Sequence, residues 1–471
     1  MIAALDNLCT YLSGIVGAPS EQIKLILVMY AIIPLSLINY LITAPFLRLL
    51  YSLIFGLFLQ FTLYGSGIIH TFISTIITYL FIKFYGRKKS AFYILIITIL
   101  YLTYLHLSRM FTDYGGWTID DPTTIYMMTI CKFSSLAFSY EDGAKDDKDF
   151  KNEHHKEYKI VEKPSLLETF SYVYFYPTSV VGPSIEFKDF INFINLKGCH
   201  ANLPKNLIVK QFIQYFLLSL VTMAAYAVVG PKIPVSLVGM PEFNNNSFIY
   251  KVAYLYFGLI FVRMKYYTGW TLSYSCLILC GVAYTEKKTK EGELVQSFEK
   301  GDYGSIIFSE FGVNPKFKLA FWNRTVHLWL KYNLFTRTIN IDMKPFKNNM
   351  GLASLLTFLV SAIWHGYYPT YYFTFISLYL LQTGNEVLVK VGYYDYVAKR
   401  WYLTIFMSIF TQLMFDGVGV AFFNLTWGMF VNSLINLRGF YLFMIAFVYS
   451  MKYIIKVPKK VVAKKEEKKT Q

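Results

Sequence analysis

The stretch Gly351-Leu352-Ala353-Ser354-Leu355-Leu356-Thr357-Phe358-Leu359-Val360-Ser361-Ala362-Ile363-Trp364-His365-Gly366 places a histidine at the end of fourteen uncharged residues. The segment that follows, Tyr371 to Leu381, is again uncharged and rich in aromatic rings. A titratable ring between two hydrocarbon-compatible segments is costly to bury. Such a residue is a functional candidate by default.

The surrounding sequence has the same character. The chain of 471 residues is 55% hydrophobic and 16% charged, where water-soluble domains average about 25% charged residues. A greasy soluble enzyme would divide a chain this long into two or three domains. Recurring apolar runs point instead to one multi-pass helical membrane domain over residues 1–471. Runs long enough for spans fall at 25–42, 46–64, 68–85, 91–107, 166–181, 207–229, 248–262, 266–284, 371–391, 402–423 and 440–455. The expected fold is therefore all-α and polytopic. It has about eleven transmembrane helices and one or two half-inserted segments, the run that ends at Tyr140 being a re-entrant candidate; an amphipathic stretch, 319–337, and the apolar run 351–364 precede the last spans. Pro34 and Pro45 mark kinked or broken starts.

The polar segments complete that picture. Residues 141–163 are densely charged with mixed signs and 286–314 are polar, so both are expected as extramembrane loops. His154 and His155 in the first loop suit a surface better than a metal. The tail 456–471 is basic. From Lys452 to Lys469, eight lysines face two glutamates and supply six of the sixteen net positive charges. Basic segments beside spans fit cytosolic loops and anionic lipid, and no soluble module surrounds them that would suit nucleic acid. Cys9, Cys131, Cys199, Cys276 and Cys280 form no zinc-like pair and imply no disulfide framework. No metal site is expected. The N-terminus lacks a cleaved-signal pattern, so the first span is expected to serve as the insertion signal. Lys468 and Lys469, fourth and third from the end, resemble the dilysine retrieval signal of endoplasmic-reticulum membrane proteins. That signal requires a cytosolic tail.

Upstream of His365, the segment Phe321 to Lys331 fits one helix. At 100° per residue it gathers Asn323, Arg324, His327 and Lys331 into one arc, with Trp322, Val326, Trp329 and Leu330 opposite. Taken alone, that arc suits an interfacial helix with snorkelling cations as well as the wall of a polar cavity.

Together, Trp322-Asn323, Trp329-Leu330-Lys331, Phe335-Thr336-Arg337 and Trp364-His365-Gly366-Tyr367-Tyr368-Pro369-Thr370-Tyr371-Tyr372 resemble the membrane-bound O-acyltransferase family, its lysophospholipid branch best. Lys132 to Phe138, running on to Asp142-Gly143, and Val181-Gly182-Pro183-Ser184-Ile185-Glu186-Phe187 resemble it too. The likeness covers roughly residues 120 to 385. Thr370 stands where the family usually has glycine. The resemblance implies that His365 and Asn323 are the catalytic pair in a chamber within the membrane, with acyl-CoA as co-substrate entering from the cytosol and no further cofactor.

The residue chemistry agrees with that implication. A thioester is already activated, so the demanding step is deprotonation of the attacking lipid hydroxyl, which a neutral imidazole can perform. Burial lowers the proton affinity of His365, while its place at a helix end raises it. Asn323 does not titrate and suits orientation of the substrate or a hydrogen bond to the reacting oxygen. Arg324, Lys331 and Arg337 are candidates for phosphate contacts. His327 and Trp322 would line the cavity beside Trp364, and Glu186 would influence headgroup choice. Glu386 and Asp416, acids inside apolar runs, are expected to meet basic residues of other helices. His70, His106 and His200 carry no partner pattern and read as packing residues. The expected partners are acyl-CoA, a lysophospholipid and the bilayer, with no nucleic acid. Rival acceptors within the same chemistry are diacylglycerol, a sterol or a peptide. A transporter would predict symmetry between the two halves of the chain, which the sequence lacks.

Overall fold

A computed structural model describes residues 2–116, 118, 121–289, 291–342 and 344–455. The basic tail 456–471, with Lys468 and Lys469, lies outside the described residues. Among those described, the elements are helices apart from one antiparallel hairpin, Thr285–Lys288 with Leu294–Ser297. The all-α expectation holds. The hairpin lies in the polar loop 286–314, where Gly292 at φ +85° allows the tight return.

Five helical segments are long and apolar enough to cross a bilayer: Ser20–Leu41, Pro45–Tyr85, Ser90–Thr112, Lys205–Gly239 and Trp401–Phe423. Counting Trp427–Asn436 with Phe440–Ile454, which meet at an 81° bend, makes six. Eleven were expected. Part of the difference is one of joining, since the expected runs 46–64 and 68–85 both fall within the single segment Pro45–Tyr85. Residues 248–262 and 266–284 belong largely to one 33-residue helix, Phe248–Cys280. The run 166–181 is an eight-residue helix, Leu166–Val173, and a 3-10 turn, Tyr176–Thr178. Pro34 is carried inside the helix Ser20–Ile38, and Pro45 occupies the first turn of the next, where its missing N–H leaves no bond unmade.

The chain packs as two compact units. One combines the residues up to Ala227 with Lys265–Tyr303, and the other combines Val228–Met264 with the residues from Gly304 onward. In the first, the helix Ile68–Tyr85 buries Thr71, Ser74, Thr75, Thr78 and Ile82. It turns Ile69, Phe72, Ile73, Ile76 and Leu80 outward. That is the arrangement of a helix in lipid, with small polar side chains at the helix contacts and hydrocarbon outside. Two of these hydroxyls pair with tyrosines of other segments: Thr71 Oγ1 lies 2.9 Å from the Tyr174 hydroxyl and Ser74 Oγ 2.7 Å from that of Tyr126. Lys132 is buried in the helix Pro122–Asp142 and donates to the Val173 carbonyl and Thr178 Oγ1, each at 2.7 Å.

The second unit has an apolar core built from Val235, Val238, Leu255, Leu259, Phe375, Val418 and Tyr441, with Ala362 at its edge. Gly417 lets the Tyr441 ring lie flat against the span Trp401–Phe423, since a Cβ there would come within 2.3 Å of it. The helices Met350–His365 and Pro369–Lys390 pack on each other and carry the His365 corner between them.

Candidate active site

His365 is the last residue of its helix. Gly366 follows at φ +133°, a backbone that favours glycine, and its N–H closes on the Ala362 carbonyl at 3.0 Å. Pro369 then opens the next helix. The half-buried imidazole sits in an aromatic wall drawn from its own stretch and, in Phe422, from the distant span Trp401–Phe423. Phe375 stacks on it at 5.1 Å and 24°, Phe422 meets it edge-on at 5.0 Å, and Trp364 and Tyr371 lie at 4.7 and 5.9 Å between centroids. Thr370 is buried in the second position of the helix Pro369–Lys390, away from any left-handed backbone. The turn after His365 therefore needs its glycine at 366, and threonine at 370 leaves it intact.

The expected single helix through Asn323 is not formed. Residues Pro315–Phe321 and Arg324–Leu330 are separate seven-residue helices. Between them Trp322 is extended and Asn323 is left-handed, at φ +44° and ψ +58°. Asparagine is among the few non-glycine residues that enter this region readily. Asn323 stands at the N-cap of the second helix, and its side chain makes no capping hydrogen bond. The carboxamide thus projects from a turn instead of sharing a helical face with its neighbours. Arg324, His327 and Lys331 still follow one another on the continuing helix. Lys331 opens a π-helical segment, Lys331–Phe335, a rare geometry that recurs at functional sites.

The two motif segments adjoin. The helix Met350–His365 packs on the π segment, and the buried rings of Trp329 and Trp364 lie 6.3 Å apart. Arg324 lies over the Phe321 ring and the exposed Lys331 over Tyr332, at 5.5 and 4.8 Å. Arg337 is half-buried in the short helix Thr336–Ile339. Lys316, exposed on the preceding helix Pro315–Phe321, adds a positive charge that reaches His327 and lies outside the segment the sequence singled out.

His327, outside the candidate spans, is held neutral. Burial lowers its proton affinity to about 4, and the charges of Lys331, Arg324 and Lys316 act in the same direction. The folded value lies below the ordinary 6.5, so the unfolded chain binds more protons between those values and stability falls as pH drops through that window. Thermal midpoints in detergent should decline from about pH 6.5 to about pH 4, and less steeply in His327→Gln. Parallel curves for the two proteins would remove His327 as a source.

Glu186 belongs to the other unit. It precedes the helix Phe187–Ile194, and its carboxylate lies 3.7 Å from His154 Nε2. His154 thus sits against a partner, with its ring 4.6 Å from Tyr158. Asp416 meets Arg263 of another helix at 2.7 Å, as an acid in an apolar run should, while Glu386 is exposed.

An all-helical membrane protein with a histidine corner, an asparagine turn and a basic surface defines a class that known proteins identify. The model of the membrane-bound O-acyltransferase family matches residues 110–427. The chain belongs to that family. It is similar to the lysophospholipid acyltransferase of Saccharomyces cerevisiae, 29% identical over 79% of this chain and 62% of that protein. It is 26% identical to lysophospholipid acyltransferase 2 of Arabidopsis thaliana, over 80% of both chains. The mouse membrane-bound glycerophospholipid O-acyltransferase 1 is 26% identical over 71% of this chain and 68% of its own.

Proposed function

We propose that this protein transfers a fatty acyl group from acyl-CoA to the free hydroxyl of a lysophospholipid, with His365 as general base. The observation that carries the reading is a half-buried imidazole at a helix corner, joined through Trp364 and Trp329 to the helix that Asn323 begins. The relatives' names supply the acceptor class. In this mechanism a lone pair of the imidazole takes the hydroxyl proton as the lipid oxygen attacks the thioester carbonyl. The acyl–oxygen bond forms, the carbon–sulfur bond breaks, and the CoA thiolate leaves and takes up a proton. The Asn323 side chain makes no capping hydrogen bond, and its carboxamide N–H suits the carbonyl oxygen as negative charge develops on it. Arg324, Lys331 and Arg337 would hold phosphate groups of CoA or lipid, Trp322 and His327 would line the chamber, and Glu186 would act on headgroup choice. Acyl-CoA is the co-substrate, and the mechanism calls for no metal or further cofactor. On this reading the protein works in the endoplasmic-reticulum membrane, with its basic segments on the cytosolic side.

Purified protein given one labelled acyl-CoA and a panel of acceptors should acylate lysophospholipids in preference to diacylglycerol, sterol or peptide. Preference for any of those would move the reading to another acceptor. Asn323→Gly separates backbone from side chain, because glycine keeps the left-handed turn at no steric cost while the carboxamide is lost. It should fold and lose about 10²–10³-fold in kcat, with little change in KM. Wild-type kcat would remove Asn323 from the reaction.

A further inference from the structure

Five side chains of the second unit close a ring that the transfer chemistry does not use. Arg263 donates Nε and Nη2 to the two carboxylate oxygens of Glu310 at 2.7 and 2.8 Å, and Nη1 to Asp416 Oδ1 at 2.7 Å. Gln412 donates Nε2 to the same Oδ1 at 2.9 Å, and its Oε1 accepts from Lys318 Nζ at 2.6 Å. Lys318 Nζ also donates to the carbonyls of Ser309 and Glu310, both at 2.7 Å, which returns the circuit to Glu310. Glu310, Lys318, Gln412 and Asp416 are each at most 2% exposed. Two cations and two anions balance.

Four of the five members stand on other elements, and Lys318 is one turn before Asn323. Its carbonyl accepts the Trp322 N–H at 3.0 Å, so the lysine and the asparagine turn share one rigid step of backbone. The helix that carries Lys318 has seven residues, too few to be stable by itself, so whatever grips it decides where Asn323 stands. Its first turn is gripped too: Asn314 caps it and is held by Asn385 Nδ2 at 3.0 Å. At its far end the chain at Gly304 runs so close that a Cβ would lie 1.9 Å from the Phe321 carbonyl oxygen.

We propose that the Arg263–Glu310–Asp416–Gln412–Lys318 ring positions the Asn323 turn for acyl transfer, with Gln412 as its uncharged link. The inference rests on the role given to Asn323 above. Gln412 is the member to change, since Gln412→Met keeps the volume and leaves every charge with a partner. In the purified full-length enzyme this variant should lower kcat on the order of 10²-fold, the loss that a misplacement of about 1 Å brings. KM for both substrates should stay within about twofold, as is expected when only a transition-state contact is lost. Amide exchange across residues 321–326 should rise. Lys318→Met should do the same and Lys318→Arg should recover most of the rate. Unchanged exchange in Gln412→Met overturns the positioning, whatever Asn323 does. Raised exchange with unchanged kcat overturns the role of Asn323 on which the inference depends. Failure of Gln412→Met to fold also overturns it, because the ring then serves folding alone.

Discussion

His365→Ala should leave a folded, monodisperse protein that transfers acyl groups about 10²–10⁴-fold more slowly, the contribution expected of a positioned general base. The effect should fall on kcat, since the imidazole acts on a proton in flight and not on the groups that bind the substrates. Folding should survive because the side chain is half-buried, its helix is closed by Gly366 onto Ala362, and Phe375 and Phe422 can relax toward the vacated space. His365→Gln is the sterner test. It keeps much of the volume and a hydrogen-bonding group, and it cannot take up a proton near neutral pH, so it should be as slow as the alanine variant. Initial rates with radiolabelled acyl-CoA, normalised to protein recovered from gel filtration, settle the matter. A glutamine variant with wild-type kcat would show that the ring orients rather than accepts a proton.

The second large effect is on stability. Arg263→Met should lower the thermal midpoint in detergent far more than an exposed charge removal would. It strands the carboxylates of Glu310 and Asp416, whose side chains are 3% and 0% exposed. Breaking a buried pair by removing one partner costs about 3–5 kcal/mol, because the charge left behind has no compensation. One excess negative charge is left in a ring that also holds Lys318. The same principle predicts recovery when that excess is removed as well: Arg263→Met combined with Glu310→Gln leaves Lys318 and Asp416 in balance and should regain most of the loss, since neutral residues of similar volume are often as stable as an ion pair. A single variant that melts with the wild type would show that water reaches the carboxylates. No recovery in the double variant would assign the cost to the shape of arginine and not to its charge.

The two outcomes bear on what could be read from the order of residues. The membrane class and the helical fold were legible because hydrophobic length and charge depletion are properties of local sequence, and the family motifs kept their order. The location of His365 at a helix end was legible for a related reason: Gly366 and Pro369 follow it within four residues, and each interrupts a helix for a steric cause of its own. Which apolar runs lie inside protein was not. Phe170 and Tyr172 are as apolar as any lipid-facing residue, yet they are buried in protein within the eight-residue helix Leu166–Val173. The loop 286–314 misled in the opposite sense, because Glu310 reads as solvated and is nearly inaccessible in its contact with Arg263.

The candidate site divides along the same line. Sequence alone determined the chemistry available: an imidazole at the end of an apolar helix, an asparagine in an earlier basic segment, and basic side chains spaced to share a helix face. Helical periodicity passes through Trp322 and Asn323 without interruption, so nothing local announced that the helix breaks there and that Asn323 turns left-handed. Tertiary structure alone decided that break, along with the Phe375 and Phe422 wall around His365 and the choice of Arg263, 153 residues distant, as the partner of Asp416. The reason is physical. Composition and period fix what each segment would prefer by itself within a few residues' range, whereas the position of a seven-residue helix is set by buried hydrogen bonds to elements far along the chain, which exist only once those elements have packed.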